Sequence, residues 1–155
     1  MDESQVYFYG SFESRLGPKG QVMFPARFRS LLPDEELARG FALVLGFAPC
    51  LYLYPHRKFG EIKNRARQFA DKSGNKDMFR IFMEGSVAVD LDTQGRFVVP
   101  AALREKAGLT GPDVLLVGMD DRIEIWNPST RQEMRTGDDA ADQWRREHGD
   151  KIFGF

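Results

Sequence analysis

Two short stretches combine charged or amide side chains with turn-forming glycine in a way that suits molecular recognition. Asp92-Thr-Gln-Gly-Arg96 sets an arginine directly after a tight turn that begins with an aspartate. Asp at the first position and Gly at the fourth suit a type I turn closed by a left-handed residue, as in a three-residue hairpin loop. Asp92 is close enough to accept from the turn amides or to hold the Arg96 guanidinium in place. A guanidinium held so suits bidentate contact with guanine edges and phosphate oxygens. At an offset of 75 residues, Gly17-Pro-Lys-Gly-Gln21 keeps the turn by other means. Pro18 presets its second position, and Gly20 supplies the permissive backbone that Gly95 supplies later. Gln21 can hydrogen-bond a base, adenine by preference of geometry, and Lys19 can meet a phosphate as a point charge. Arg15, Arg27, Arg29 and Arg104 should lie near these loops or the helix ends that follow. Any one of them alone reads as a surface charge; their concentration in both stretches points to a shared role.

The elements that must position these side chains are repeated as well. Residues 10–29 lie over residues 85–104 at an offset of 75, with Gly, Ser, Leu, Gly, Pro, Ala and Arg recurring in register. Leu43-Val-Leu-Gly46 and Leu51-Tyr-Leu-Tyr54 match Leu115-Leu-Val-Gly118 and Ile123-Glu-Ile-Trp126 at an offset of 72, so a three-residue change falls in the intervening loop. Each copy reads as strand, tight turn, strand, short helix and second hairpin. Pro25 and Pro100 are expected at the first position of short helices over residues 26–32 and 101–107, the second stopped by Gly108.

Between the copies, Phe59, Ile62, Ala66 and Phe69 fall at helical spacing and predict an amphipathic helix. Its Arg57, Lys58, Lys63, Arg65 and Arg67 read more simply as a solvated face than as a DNA face. Residues 78–83 are apolar nearly all round, as a buried or interface helix would be. Asn127-Pro128 offers an N-cap and first position for a last helix that fades into a polar stretch over residues 137–149. The expected organisation is therefore a first unit over residues 8–84, a second over 85–136, and a polar, mobile tail over 137–155 with an apolar tip at its end.

Composition narrows the function classes. A chain of 155 residues, 42% hydrophobic with 13 Phe, can build one compact core or two half-size units sharing one. The single cysteine, Cys50, has no internal disulfide partner, and no Cys/His spacing would close a zinc site. Asp2 and Glu3 stand where a secretory signal would carry basic residues, and no apolar run approaches a membrane span, so a cytoplasmic location is expected. The two histidines, His56 and His148, have no nucleophile in a known arrangement beside them. No phosphate-binding loop or dinucleotide fingerprint occurs, and Asp90 with Asp92 reads as a hairpin device rather than an acid/base pair. An enzyme, and any cofactor, is therefore not expected. The net charge of −1 conceals an asymmetry: residues 1–80 hold 13 Lys/Arg against 9 Asp/Glu, and residues 81–155 hold 9 against 14. Total charge thus does not decide for or against a polyanionic partner.

Asp-x-x-Gly-Arg, strand, Pro and short helix, repeated around a central helical segment, resembles the MraZ family of bacterial transcriptional regulators over about residues 8–135. Residues 92–104, then Ala107-Gly-Leu109 and the 115–126 block, are similar to the family's second repeat. The resemblance implies an α+β, β-rich fold of two tandem AbrB-like swapped-hairpin units forming a pseudo-dimeric barrel, with helices between and after them. It also implies a homo-oligomeric ring. Its expected partner is double-stranded DNA carrying direct repeats upstream of its own division and cell wall gene cluster, in the nucleoid, with the loop Asp and Arg associated with DNA contact. The first copy departs from the motif: Gly17 and Gln21 stand where Asp and Arg are expected. One alternative is a ring-forming interaction protein that has lost DNA binding. Another, an AbrB-like antitoxin, would carry a single repeat, which the duplication argues against.

Overall fold

The computed structural model describes residues 8–155, which leaves the acidic start at Asp2 and Glu3 outside the described residues. The first copy runs through β1 (Ser11–Arg15), β2 (Gln21–Met23), α1 (Ala26–Ser30), α2 (Asp34–Arg39), β3 (Phe41–Leu45) and β4 (Leu51–Pro55). Helices α3 (His56–Lys72) and α4 (Lys76–Glu84) lead to the second copy: β5 (Val87–Val89), β6 (Arg96–Val98), α5 (Ala101–Lys106), β7 (Asp113–Gly118) and β8 (Ile123–Trp126). Helices α6 (Pro128–Met134) and α7 (Asp138–Phe153) follow. The fold is α+β with antiparallel pairing throughout, as expected from the alternating, turn-punctuated sequence.

The two copies exchange strands. β1 of the first pairs with β7 of the second, β5 of the second pairs with β3 of the first, and β4 and β8 meet at the centre. The resulting sheet has the order β1-β7-β8-β4-β3-β5, while β2 and β6 leave it to form a two-stranded ribbon. Among the described residues the expected barrel is not found. β1 and β5 end on opposite edges of the six-stranded sheet with no pairing between them, because the strands that follow them, β2 and β6, turn out of the sheet to pair with each other.

Strand periodicity gives the sheet two buried faces. Phe41 and Leu43, Leu51 and Leu53, and Ile123 and Ile125 point into the main core with Val22, Phe24, Phe28, Phe97 and Leu103, residues of the ribbon, α1, α5 and the connecting segments. The alternate residues Ala42, Val44, Tyr52, Tyr54 and Trp126 pack on the other face with Phe59 of α3. Phe28 sits among Phe8, Phe12 and Phe24 at ring-centroid distances of 5.6, 4.9 and 6.2 Å, all edge-on.

Four element expectations are corrected. Pro25 and Pro100 lie one residue before their helices, with extended ψ of 138° and 148°, so they are N-caps rather than first helical residues. The three-residue length difference lies not in plain loop but in α2, a helix that the second copy lacks; its Glu36 is buried and pairs with Arg57 at 3.1 Å. The apolar helix over residues 78–83 is longer and buries none of its residues: Met78 and Ile81 are half exposed, and beside them Phe69 of α3 is 71% exposed. The tail over 137–155 is mostly α7, because Asp138 and Asp139 favour the positive helix N-terminus and pairs such as Arg145–Asp142 and Gln143–Glu147 support a solvent-facing helix. Asn127 caps α6 as expected, accepting from the Ser129 amide at 2.9 Å.

Candidate nucleic-acid interface

The ribbon brings the two turn stretches together. β2 and β6 pair in the register Gln21 with Val98, Val22 with Phe97, and Met23 with Arg96. Val22 and Phe97 face the core, so Gln21, Met23, Arg96 and Val98 share the outward face. Each outward pair joins a residue to the repeat-mate of its diagonal neighbour, since 21 and 96, and 23 and 98, are both related by the offset of 75. The equivalent residues Val22 and Phe97 therefore stand opposite each other at the middle of the ribbon.

The turn before β6 is built by Asp92. Its Oδ1 accepts from the amides of Gln94 and Arg96 at 2.8 and 2.9 Å, and its Oδ2 accepts from Arg96 Nε at 3.0 Å. The Arg96 amide first, helped by the Gln94 amide and the guanidinium, holds the Asp92 carboxyl below the usual carboxylate range. The Asp92 carbonyl accepts from the Gly95 amide at 3.0 Å, and Gly95 takes φ +80°. Arg96 is thus clamped through Nε while its two terminal nitrogens are left for an acceptor outside this turn.

The turn before β2 has the same backbone and a different cap. The Gly17 carbonyl accepts the corresponding bond from the Gly20 amide at 2.9 Å, and Gly20 takes φ +86°. Where Asp92 caps the Gln94 amide, the Gln21 side chain reaches back and its Oε1 accepts from the Lys19 amide at 3.1 Å. The bidentate adenine contact expected of Gln21 requires oxygen and nitrogen side by side, and here the oxygen is turned into the loop.

Arg29 and Arg104 sit at crossed positions. The Arg104 guanidinium of the second copy lies over Gly20 of the first and donates to the Val99 carbonyl at 3.0 Å; the Arg29 guanidinium of the first lies over Gly95 of the second. The turns are tied together by backbone too: Phe24 donates to the Gly95 carbonyl at 2.9 Å, and Val99 to the Gly20 carbonyl at 2.8 Å. Arg27 is exposed on α1, and Arg15 is exposed at the end of β1 opposite Asp113. Lys19 is exposed at the tip of its turn. Six of the eight candidate residues, Lys19, Gln21, Arg29, Asp92, Arg96 and Arg104, therefore meet around one ribbon; Arg15 and Arg27 stand apart from its hydrogen-bonded frame. Sequence reasoning missed Met23 and Val98, the exposed apolar pair of this face. Their alternation with Val22 and Phe97, and their relation by the repeat offset, were the available signals.

A family model described as "MraZ protein, putative antitoxin-like" matches residues 82–136, which span β5–β8 and α6. A "Transcriptional regulator MraZ" of Arthrobacter sp. (strain FB24) is 37% identical over 127 residues, covering 81% of this chain and 85% of the relative. The protein of the same name from Clavibacter michiganensis subsp. michiganensis is 35% identical over 136 residues, 86% of this chain and 90% of the relative. That of Thermoanaerobacter sp. (strain X514) is 32% identical over 144 residues, 92% and 96% respectively. The chain belongs to the MraZ family. The MraZ relatives are named as regulators, not enzymes, in keeping with the reading of the sequence. Among the described residues no helix is long and apolar enough to cross a membrane, and no group of three or more His, Cys, Asp or Glu is placed to hold a metal.

Proposed function

We propose that the chain is a sequence-specific DNA-binding regulator that acts on the promoter of its own division and cell wall gene cluster. In this reading the strand exchange makes it a swapped-hairpin pseudo-dimer, located in the cytoplasm on the nucleoid. The observation that carries it is Arg96: an arginine clamped by Asp92 on the outward face of the ribbon, with Arg29 over the adjoining turn glycine, Gly95, and Arg104 over Gly20 at the ribbon's other end. An oriented guanidinium reads a guanine edge, and a group of cations around it supplies phosphate attraction. The names of the MraZ relatives support the same reading.

Loop contacts from one chain are few, so binding rests on several copies acting together in a ring. The surface on which a neighbouring subunit would land is a trough of about 560 Å³ lined by Leu45, Phe69, Met78, Ile81 and Leu103, too apolar to be left to water. Its border helix α3 carries six Lys/Arg against two Asp/Glu, whereas α7, which buries none of its residues, carries five Asp/Glu against three Lys/Arg. That complementarity suits α7 of a neighbour to the α3 side of the trough.

Gel shifts on the upstream region of the chain's own operon, at fixed salt, test the reading. Wild type should bind and Arg96→Ala should bind about 5- to 150-fold more weakly, the span of one good bidentate contact. Equal binding removes the role given to Arg96. A second reading, a ring-forming interaction protein without DNA binding, is motivated by Gly17 and Gln21 in the first loop. It requires that no duplex be bound specifically at physiological salt.

A further inference from the structure

The two turns of the ribbon have the same backbone and the same left-handed glycine, yet opposite side-chain logic. In the second, the first turn residue supplies the cap and the last supplies the outward group. In the first, Gly17 has no side chain, and a Cβ placed on it would come within 2.6 Å of Gln21 Oε1. The Gln21 carboxamide therefore fills the space that a carboxylate at position 17 would take. The contact to Lys19 N–H fixes which end of the amide points in, since only oxygen can accept from that donor. What remains for solvent is Nε2, which has no acceptor among the described residues.

We infer that Gln21 is the cap of its own turn, standing in for an aspartate, and that the first loop consequently meets DNA through lone donors while base selection rests on Arg96. This deepens the DNA-binding reading and rests on it. A single N–H donates to a phosphate oxygen, a purine N7, or a guanine or thymine carbonyl with little distinction, whereas a bidentate pair does not. Lys19, exposed beside it, adds a point charge of the same indifferent kind. The first loop is thus an anchoring loop and the second a reading loop. The two differences of this turn from the second, Gly17 against Asp92 and Gln21 against Arg96, are explained by one rearrangement: without a carboxylate the turn needs a cap, and glutamine supplies it where arginine, a donor only, would not.

The test has a structural arm and a DNA arm, both on the full chain. Amide exchange at Lys19 should be about tenfold faster in Gln21→Ala than in wild type, and return to the wild-type rate in Gly17→Asp/Gln21→Ala, which rebuilds the cap from the other side. Unchanged exchange in Gln21→Ala overturns the cap. Affinities for the chain's own upstream duplex and for a scrambled duplex are then compared at one salt concentration. Arg96→Ala should collapse the ratio of the two by about tenfold, whereas Gly17→Asp/Gln21→Ala should weaken both and leave the ratio within about twofold. A collapse of the ratio in the double variant makes Gln21 a reader and overturns the anchoring role. A wild type that binds neither duplex defeats the DNA reading and the anchoring role with it, while the exchange rates still decide the cap.

Discussion

Asp92 places a negative charge beside the surface proposed to meet phosphates, and bare electrostatics says that removing it should tighten DNA binding. The geometry says the opposite. Both carboxylate oxygens are spent on the turn and on Arg96 Nε, so without them the guanidinium swings free and pays for its order on binding. Asp92→Ala is expected to weaken binding about tenfold, a loss on the scale of one oriented Arg contact, despite the gain of net positive charge; titration of the duplex by fluorescence anisotropy gives the sign. Because the Asp92 carboxyl is held below its ordinary value, its contribution to stability is complete above the ordinary aspartate pKa of about 3.9 and is lost only as pH falls through the lower folded value. The melting-temperature gap between wild type and Asp92→Asn should therefore stay constant from neutral pH down to about 5 and close only in stronger acid. Cys50 offers a contrast. Burial, with the Glu124 charge adding to it, pushes its thiol up to about 12, so native protein at pH 8 should resist iodoacetamide and urea-unfolded protein should not. The Asp92 cap was legible in sequence because donor and acceptor lie within five residues. The direction of the Gln21 side chain was not, since a glutamine after a turn serves inward or outward equally well until its neighbours are fixed. Arg29 and Arg104 were placed near the loops, but their crossing onto each other's turn depends on a partner in the other copy.

At the level of elements, the two turn glycines look equivalent and their surroundings are not. Both have positive φ, which taxes any side chain. A Cβ on Gly95 would meet the Arg29 guanidinium, the far end of a flexible chain; a Cβ on Gly20 would meet Arg104 and also the Val99 carbonyl, which is backbone. Gly95→Ala should cost about 1–2 kcal/mol and Gly20→Ala clearly more in urea unfolding, because backbone must move for the second and not for the first. Phe28, fully buried on α1 and ringed by three phenylalanines, should cost about 3–5 kcal/mol as alanine. The central strands were readable because β3, β4 and β8 are buried on both faces over nearly their whole length, while β1 shows plain alternation. The three elements misread, α2, α4 and α7, share a cause. α2 is held by Leu37 and the Glu36–Arg57 pair, α4 by Phe82 against Phe59, and α7 is supported by charge pairs, so neither composition nor a simple buried stripe announces what they do.

For the whole molecule, the exchange of β1 and β5 means that neither copy completes its own sheet. Unfolding should then be a single transition, with far-UV circular dichroism coinciding with the fluorescence of buried Trp126 measured in a Trp144→Phe background. Separate transitions for the two copies would contradict the pairing. That the repeat existed was plain from its offsets; that its halves interlock was not, because equal copies can stack side by side or cross, and only the pairing register tells these apart.

The covalent joining of the copies through α3 and α4 has one more consequence. Were each copy a separate chain meeting its twin, every substitution in the ribbon would occur twice and across the twofold, so the two turns could only change in step. In one chain the gene specifies them independently. The Gly17–Gln21 turn could drift to a new chemistry while the Asp92–Arg96 turn kept the old one. Fusion thus converts an enforced symmetry into a heritable choice, and lets one half hold a function steady while the other explores.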